Sequence, residues 1–310
     1  MPGSALKAKL LSRNGPVLLY GTTPPRLGTP PERIAEAAHK LAARVRGLPL
    51  DGFVVYDLQD ESARTHLPRP FPFAPAVDSS GYAKLLGGIT RRDAVCYKCV
   101  GRMTEPQWRD WLREQQIDLL CPVGRPTSAG APFPMTLSGA IQIASEAGCT
   151  LGGIAIAERH DIGVGEVHRM MKKTEMGCGF FVSQAVYHAE PTIELLADYA
   201  AACRRRGAAP KRVVLTFAPC GREKTMAFMK WLGVSIPPAV ERSILSAASP
   251  LLRSLEICRA NLRRIIEHAC ADEIPLGVNT ESVSINKDEI DASVDLFHGL
   301  REVLEERVPA

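Results

Sequence analysis

Four short patterns in this chain carry residue types that could do chemistry. Cys96-x-x-Cys99 has the spacing of a redox or metal pair. Residues three apart on a strand point to opposite faces, however, and no second such pair or His pair follows at zinc-binding distance, so no metal site is expected. Lys98, between those cysteines, is of the type that forms a Schiff base in a barrel lyase. Gly163-Val164-Gly165 precedes a helical segment, and Pro219-Cys220-Gly221-Arg222 follows an apolar run. Either could hold a phosphate on backbone N–H groups.

These patterns need elements to position them. Eight short apolar runs read as strands: Pro16–Tyr20, Gly52–Tyr56, Asp93–Tyr97, Asp118–Cys121, Gly152–Ala157, Gly179–Ser183, Arg212–Phe217 and Pro275–Val278. Unalternating apolar runs of this length suit strands buried on both faces of a parallel sheet. Helical stripes lie between them, such as Ile34, Ala38, Leu41 and Val45, or Ile290, Val294, Phe297, Leu300 and Leu304. Thr29 to Glu32 and Thr104 to Gln107 both read as capping boxes that open helices. Strand and helix alternate eight times, and no glycine-rich dinucleotide turn follows the first strand. The expectation is a single (β/α)8 TIM barrel over residues 1–310. It carries an N-terminal extension, helix-compatible over Met1 to Asn14, and a helical insertion between Ile236 and Cys270, before strand eight. The loop with Pro68, Pro70, Pro72 and Pro75 is expected to form a lid or a wall of the site. Chemistry in such a barrel sits at the C-terminal ends of the strands.

Composition narrows the classes. The chain has 310 residues, 45% hydrophobic and 23% charged, which is globular rather than disordered. Lys+Arg number 38 and Asp+Glu 34, a net charge of +4 that gives no argument for a nucleic-acid partner. Arg204-Arg205-Arg206 reads as the cationic end of a helix. No apolar run reaches the ~20 residues of a membrane span, and the N-terminus has no signal-peptide core. The 9 cysteines are an odd number and scattered, which suits reduced thiols in a cytoplasmic protein.

At the strand ends the chain resembles the methylenetetrahydrofolate reductase family, FAD-dependent (β/α)8 barrels that reduce methylenetetrahydrofolate with NAD(P)H. Pro24-Pro25 resembles the family's Phe-Phe-Pro-Pro turn, Arg64-Thr65 its Arg-Asp-Arg-Thr, and Glu158-Arg159-His160 its Pro-Glu-x-His segment. Lys173 through Gln184, KTEMGCGFFVSQ, resembles the family's Lys-x-x-x-Gly-Ala-x-x-x-(Ile)-Thr-Gln block at the same spacing, and Ile236-Pro237 also fits. The resemblance implies an oxidoreductase of folate one-carbon metabolism, supplying the methyl group of methionine biosynthesis. It puts Gln184, Arg125 and Tyr187 on a folate substrate, and His160, Glu166, Lys173 and Tyr56 on the cofactor. Gln184 has the donor and acceptor that a pterin edge needs. Lys173 can neutralise a phosphate, and Glu166 can accept from ribose hydroxyls.

The departures are specific. The family's acid before Phe-Phe-Pro-Pro, which assists proton delivery to the folate, is Gly21 here. Its Arg-Gly-Asp after strand four reads Val123-Gly124-Arg125, which replaces an acceptor by a cation. A family threonine is Val55, and a family histidine is Cys96 or Tyr97. FAD dependence is therefore expected to be weakened or lost, with NAD(P)H acting directly. A barrel closes strand eight against strand one, so Glu281 is expected beside Gly21 as the replacement acid. Asp57, Glu61 and Glu158 are its rivals, and an ion pair with Arg125 is its plainer explanation. The alternatives are a non-reductive folate-binding protein with a decayed flavin site, or a lyase using Lys98. A homo-oligomer is compatible with the chain.

Overall fold

The computed structural model describes residues 4–61, 65–124, 134–268 and 273–306. Eight parallel strands close in sequence order into a barrel. They are β1 (Val17–Thr22), β2 (Gly52–Val55), β3 (Ala94–Cys99), β4 (Leu119–Val123), β5 (Thr150–Ala155), β6 (Cys178–Ala185), β7 (Arg212–Phe217) and β8 (Leu276–Thr280). The expected TIM barrel is therefore observed.

The helices are α1 (Ala5–Leu11), α2 (Pro31–Val45), α3 (Ser79–Thr90), α4 (Glu105–Gln115), α5 (Leu137–Glu146) and α6 (Glu166–Glu175). After them come α7 (Ala189–Arg205), α8 (Glu223–Trp231), α9 (Pro238–Leu245), α10 (Pro250–His268) and α11 (Lys287–Glu305). The insertion before β8 is the α9–α10 pair. Among the described residues no helix is long and apolar enough to cross a membrane.

Every strand is buried on both faces, which explains its unalternating apolar run. Outward residues such as Leu18, Phe53, Cys96 and Leu215 pack under the helices. Inward residues Leu19, Val54, Val95, Cys121, Val182 and Val214 fill the lumen. The N-terminal extension closes the bottom: Leu6 and Leu10 of α1 belong to the lumen cluster. Gly52 is small because Leu6 stands where its side chain would be, 2.5 Å from an ideal Cβ.

The helix starts divide. At α4, Thr104 Oγ1 accepts from the Gln107 N–H and Gln107 returns the bond to the Thr104 N–H, so that capping box is present. At α2 it is absent. Pro30 is the N-cap and has no cap hydrogen bond, because two prolines already set the helical entry, while the Thr29 hydroxyl donates to the Arg26 carbonyl instead. The Pro-rich loop is neither lid nor wall. The Trp231 indole donates to the Leu67 carbonyl, and Arg69 stacks on Phe73, Phe228 and Trp231, strapping the loop to α8.

Candidate functional site

Strand register brings the site together. In β1, Leu19 and Gly21 face inward; Gly21 pairs with Val54 of β2, and Leu19 with Asn279 of β8. Inward positions two residues further along those neighbours are Tyr56 and Glu281. All three converge at the seam where the barrel closes. A Cβ built on Gly21 would lie 2.9 Å from both Glu281 Cβ and Glu281 Oε2, and 3.0 Å from Tyr56 Cε2. Glu281 therefore occupies the room that a side chain at position 21 would take.

Above this seam opens a cavity of about 620 Å³ at the C-terminal end of the strands. Its volume lies within the ~300–1,000 Å³ range of small-molecule sites. The lining is polarised. Asp57, Glu61 and Glu281 approach from the β2 and β8 side. Arg159, Arg169, Lys172 and Lys173 approach from the loop after β5 and from α6. In an eight-stranded ring closed in this order, β5 stands opposite β1.

The acid is held in a defined way. Its backbone N–H donates to the Phe217 carbonyl at 3.0 Å. The Asn279 amide lies 3.5 Å from Oε2, and the Tyr56 hydroxyl beside the carboxyl favours its charged form. Burial pushes the carboxyl up to about 7, against the smaller stabilising effects of Tyr56 and Asn279. Tyr97 packs edge-on against Tyr56 at 4.9 Å. Burial raises both phenols well above their ordinary range.

The rival carboxylates differ. Asp57 lines the cavity, but it accepts the Cys99 N–H at 2.8 Å and lies 3.7 Å from Lys98; burial raises it too. Glu61 lines the cavity beside Gln59. Glu158 is outside its lining, and its Oε1 accepts from the Ser235 N–H.

Gln184 lines the cavity and donates Nε2 to the Leu232 carbonyl at 2.9 Å. Glu166 and Lys173 line it as well. Lys173 donates to the Ile154 carbonyl and lies 3.8 Å from Glu166, and burial lowers its ammonium. Two residues expected in the site lie elsewhere. Tyr187 is fully buried in the outer core, its hydroxyl spent on the Ala218 carbonyl at 2.7 Å. It follows β6 at an outward position, which turns it under the helices. His160 is outside the cavity lining and pairs with Asp198 of α7 at 3.0 Å. Arg125 and Arg64 lie outside the described residues.

The remaining patterns resolve structurally. Lys98 is outside the cavity lining, 2.7 Å from Asp78 and 3.7 Å from Asp57. Those carboxylates raise its ammonium against burial, the opposite of what a Schiff-base amine needs. Cys96 packs in the outer core, whereas Cys99 lines the cavity, so the two face apart. Among the described residues no group of three His, Cys, Asp or Glu could hold a metal ion. The loop after β7 is filled from within: the Gly221 N–H and the Thr225 hydroxyl both donate to Glu289 at 2.9 Å. A carboxylate of the protein stands where a phosphate was expected.

The cationic wall was not singled out from the sequence. Its signal is the spacing of Glu166, Arg169 and Lys173, three and four residues apart, on one face of α6.

An uncharacterised protein from Clostridium thermocellum that binds two copies of 5-methyl-5,6,7,8-tetrahydrofolic acid is 32% identical to this chain. The match covers 97% of this chain and 100% of that one, with a TM-score of 0.82. This chain belongs to the family of that protein. Also similar are dihydropteroate synthases from Xanthomonas albilineans, in complex with indole-2-carboxylic acid and 6-chloroguanine, and from Thermus thermophilus, in complex with 4-aminobenzoate. They are 13% and 12% identical, with TM-scores of 0.47 and 0.46. The matches cover 96% of this chain in both cases, and 95% and 96% of those chains. No site residue is inferred from these two. No family model matches the chain, and no curated protein matches it.

Proposed function

We propose that the barrel mouth binds a reduced folate and that the protein is a methylenetetrahydrofolate-reductase-like oxidoreductase. NAD(P)H is the direct hydride source in this reading, with no flavin between. The observation that carries it is the Glu281 carboxyl standing over Gly21. The resembled family keeps its acid on strand one. Here strand one is bare and an acid stands across the closing seam. The Clostridium thermocellum relative, by binding 5-methyltetrahydrofolic acid, supports the ligand class. That folate is the product such a reaction would form.

In the proposed reaction the bond between the methylene carbon and N10 breaks, and its electron pair goes to N10. Glu281, protonated below its raised pKa of about 7, gives N10 a proton. The same carbon accepts a hydride, so that a methyl group remains on N5 and the nicotinamide is left oxidised. Gln184 has one amide hydrogen fixed by Leu232 and can present Oε1 to a pterin N–H. The wall of Arg159, Arg169 and Lys172 suits the carboxylates of a glutamyl tail or the phosphates of a dinucleotide.

The groups that the resemblance assigns to FAD do not fit that role as they stand. Lys173 is tied to Glu166 and the Ile154 carbonyl, His160 to Asp198 outside the cavity, and Tyr56 to Asn279 and Glu281. No step is therefore assigned to a flavin.

The relative's two bound folates favour a second reading, in which folates fill the site and no hydride moves. The test is purified protein with reduced nicotinamide and methylenetetrahydrofolate, without added flavin. Folate-dependent loss of nicotinamide absorbance, with 5-methyltetrahydrofolate formed, supports the reductase. Tight folate binding with no oxidation of either NADH or NADPH overturns it in favour of the second reading.

A further inference from the structure

One polar side chain stands in the lumen above an apolar layer. Asn279 is fully buried on β8, two residues before Glu281 and outside the cavity lining. The inward residues around and below it are apolar: Leu19, Val54, Val95, Val182 and Val214. Its Oδ1 is buried with no hydrogen-bond partner. An orphaned buried acceptor costs folding free energy that an aliphatic residue would not.

Its Nδ2 explains the retention. It lies 2.9 Å from the Tyr56 hydroxyl, 3.3 Å from Thr216 Oγ1 and 3.5 Å from Glu281 Oε2. An ionised carboxylate can only accept, so the amide turns N–H toward it. A tyrosine hydroxyl that accepts from Nδ2 has one proton left to donate, and Glu281 is the acceptor beside it. The bond from Asn279 therefore sets a direction: Tyr56 accepts from Nδ2 and keeps its own proton for the carboxyl beside it.

We infer that Asn279 is a positioning residue that sets this direction and, acting through Tyr56, sets the pH at which Glu281 releases its proton. The inference rests on the reading of Glu281 as the proton donor. Other titratable groups beside Glu281 are Tyr56 after β2 and Tyr97 of β3, phenols raised by burial and neutral in the working range, while Tyr20 of β1 turns outward onto Ser293. From β7 come uncharged Thr216 and Phe217. Asp57 and Glu61 share the cavity on the β2 side, and Arg159, Arg169, Lys172 and Lys173 share it from the far wall. Without Asn279, Tyr56 is free to turn its proton elsewhere. The carboxylate then loses two donors, burial acts less opposed, and Glu281 holds its proton to higher pH.

The experiment is an infrared pH titration of the carboxyl band that disappears in Glu281→Gln, together with the pH profile of turnover. Asn279→Leu is expected to raise the midpoint by about one pH unit, the scale of losing hydrogen bonds to a carboxylate. Tyr56→Phe should raise it too, and adding Asn279→Leu to Tyr56→Phe should raise it less than on the wild-type background. Asn279→Ser, a smaller change, serves if the leucine variant does not fold. A midpoint unchanged in the folded asparagine variant overturns the inference, as does full additivity with Tyr56→Phe. The infrared reading needs no turnover. A shifted band with an unshifted turnover profile keeps Asn279 as the positioning residue and removes Glu281 as the proton donor.

Discussion

Glu281→Gln should make the protein more stable at alkaline pH while lowering turnover. Burial raises the carboxyl from 4.5 to about 7. Below about pH 4.5 the group is protonated in both folded and unfolded chains and costs nothing. Between about 4.5 and 7 the unfolded chain releases the proton while the folded one keeps it, so stability falls as pH rises. Above about 7 the loss is complete. At about 1.4 kcal/mol per pH unit the shift corresponds to roughly 3 kcal/mol, and water in the open cavity reduces this to about 2 to 3. Glutamine has nearly the same shape and no charge to bury. The assay is urea unfolding of both proteins at about pH 5 and about pH 9, read by tryptophan fluorescence. Contributions of all other groups cancel in the difference. The two should agree within about 1 kcal/mol at the lower pH, with the variant about 2 to 3 kcal/mol more stable at the higher. A difference that stays flat with pH refutes the claim that the fold perturbs this carboxyl.

Three further outcomes follow from the geometry. Gly21→Ala puts a methyl group 2.9 Å from Glu281 Cβ. It should cost about 1 to 3 kcal/mol in urea unfolding and at least about tenfold in turnover, because the acid must move. Arg169→Ala should weaken binding of a folate or dinucleotide by about 1.5 to 3 kcal/mol in calorimetry if its guanidinium meets an anion, with a shallower salt dependence than wild type. Lys98→Met leaves Asp57 and Asp78 without their cation. It should destabilise the fold by about 3 kcal/mol in urea unfolding, yet leave turnover within about twofold, since Lys98 does not line the cavity.

The barrel was legible because each strand is dry on both faces over most of its length. The strand ends were less so, for one physical reason. Near the C-terminal end of several strands the inward face meets the site, polar residues enter, and the apolar run stops before the strand does. Thus β8 continues past Val278 through Asn279 and Thr280, β6 past Ser183 through Gln184 and Ala185, and β1 past Tyr20 through Gly21 and Thr22. Among the residues past the ends of those runs, Gln184 and Ala185 line the cavity, and Gly21 and Asn279 stand against Glu281, which also lines it. The approach of Glu281 to Gly21 followed from barrel closure alone. Tyr187 and His160 did not follow, because the turn after a strand decides which way a side chain leaves it. For the same reason the loop after β7 reads as a phosphate cradle in the sequence, although Glu289, distant in sequence, fills it.

In the proposed reaction an acid displaced from β1 to just past β8 delivers the proton to a bound methylene-folate. The direct test moves it back. Gly21→Glu alone should inactivate the protein, since two carboxyls cannot share that space, and Glu281→Gly alone should inactivate it for want of an acid. The double variant Gly21→Glu, Glu281→Gly should recover folate-dependent NADH oxidation well above either single variant. A double variant no better than the singles, although folded and binding 5-methyltetrahydrofolate as tightly as wild type, would contradict the account.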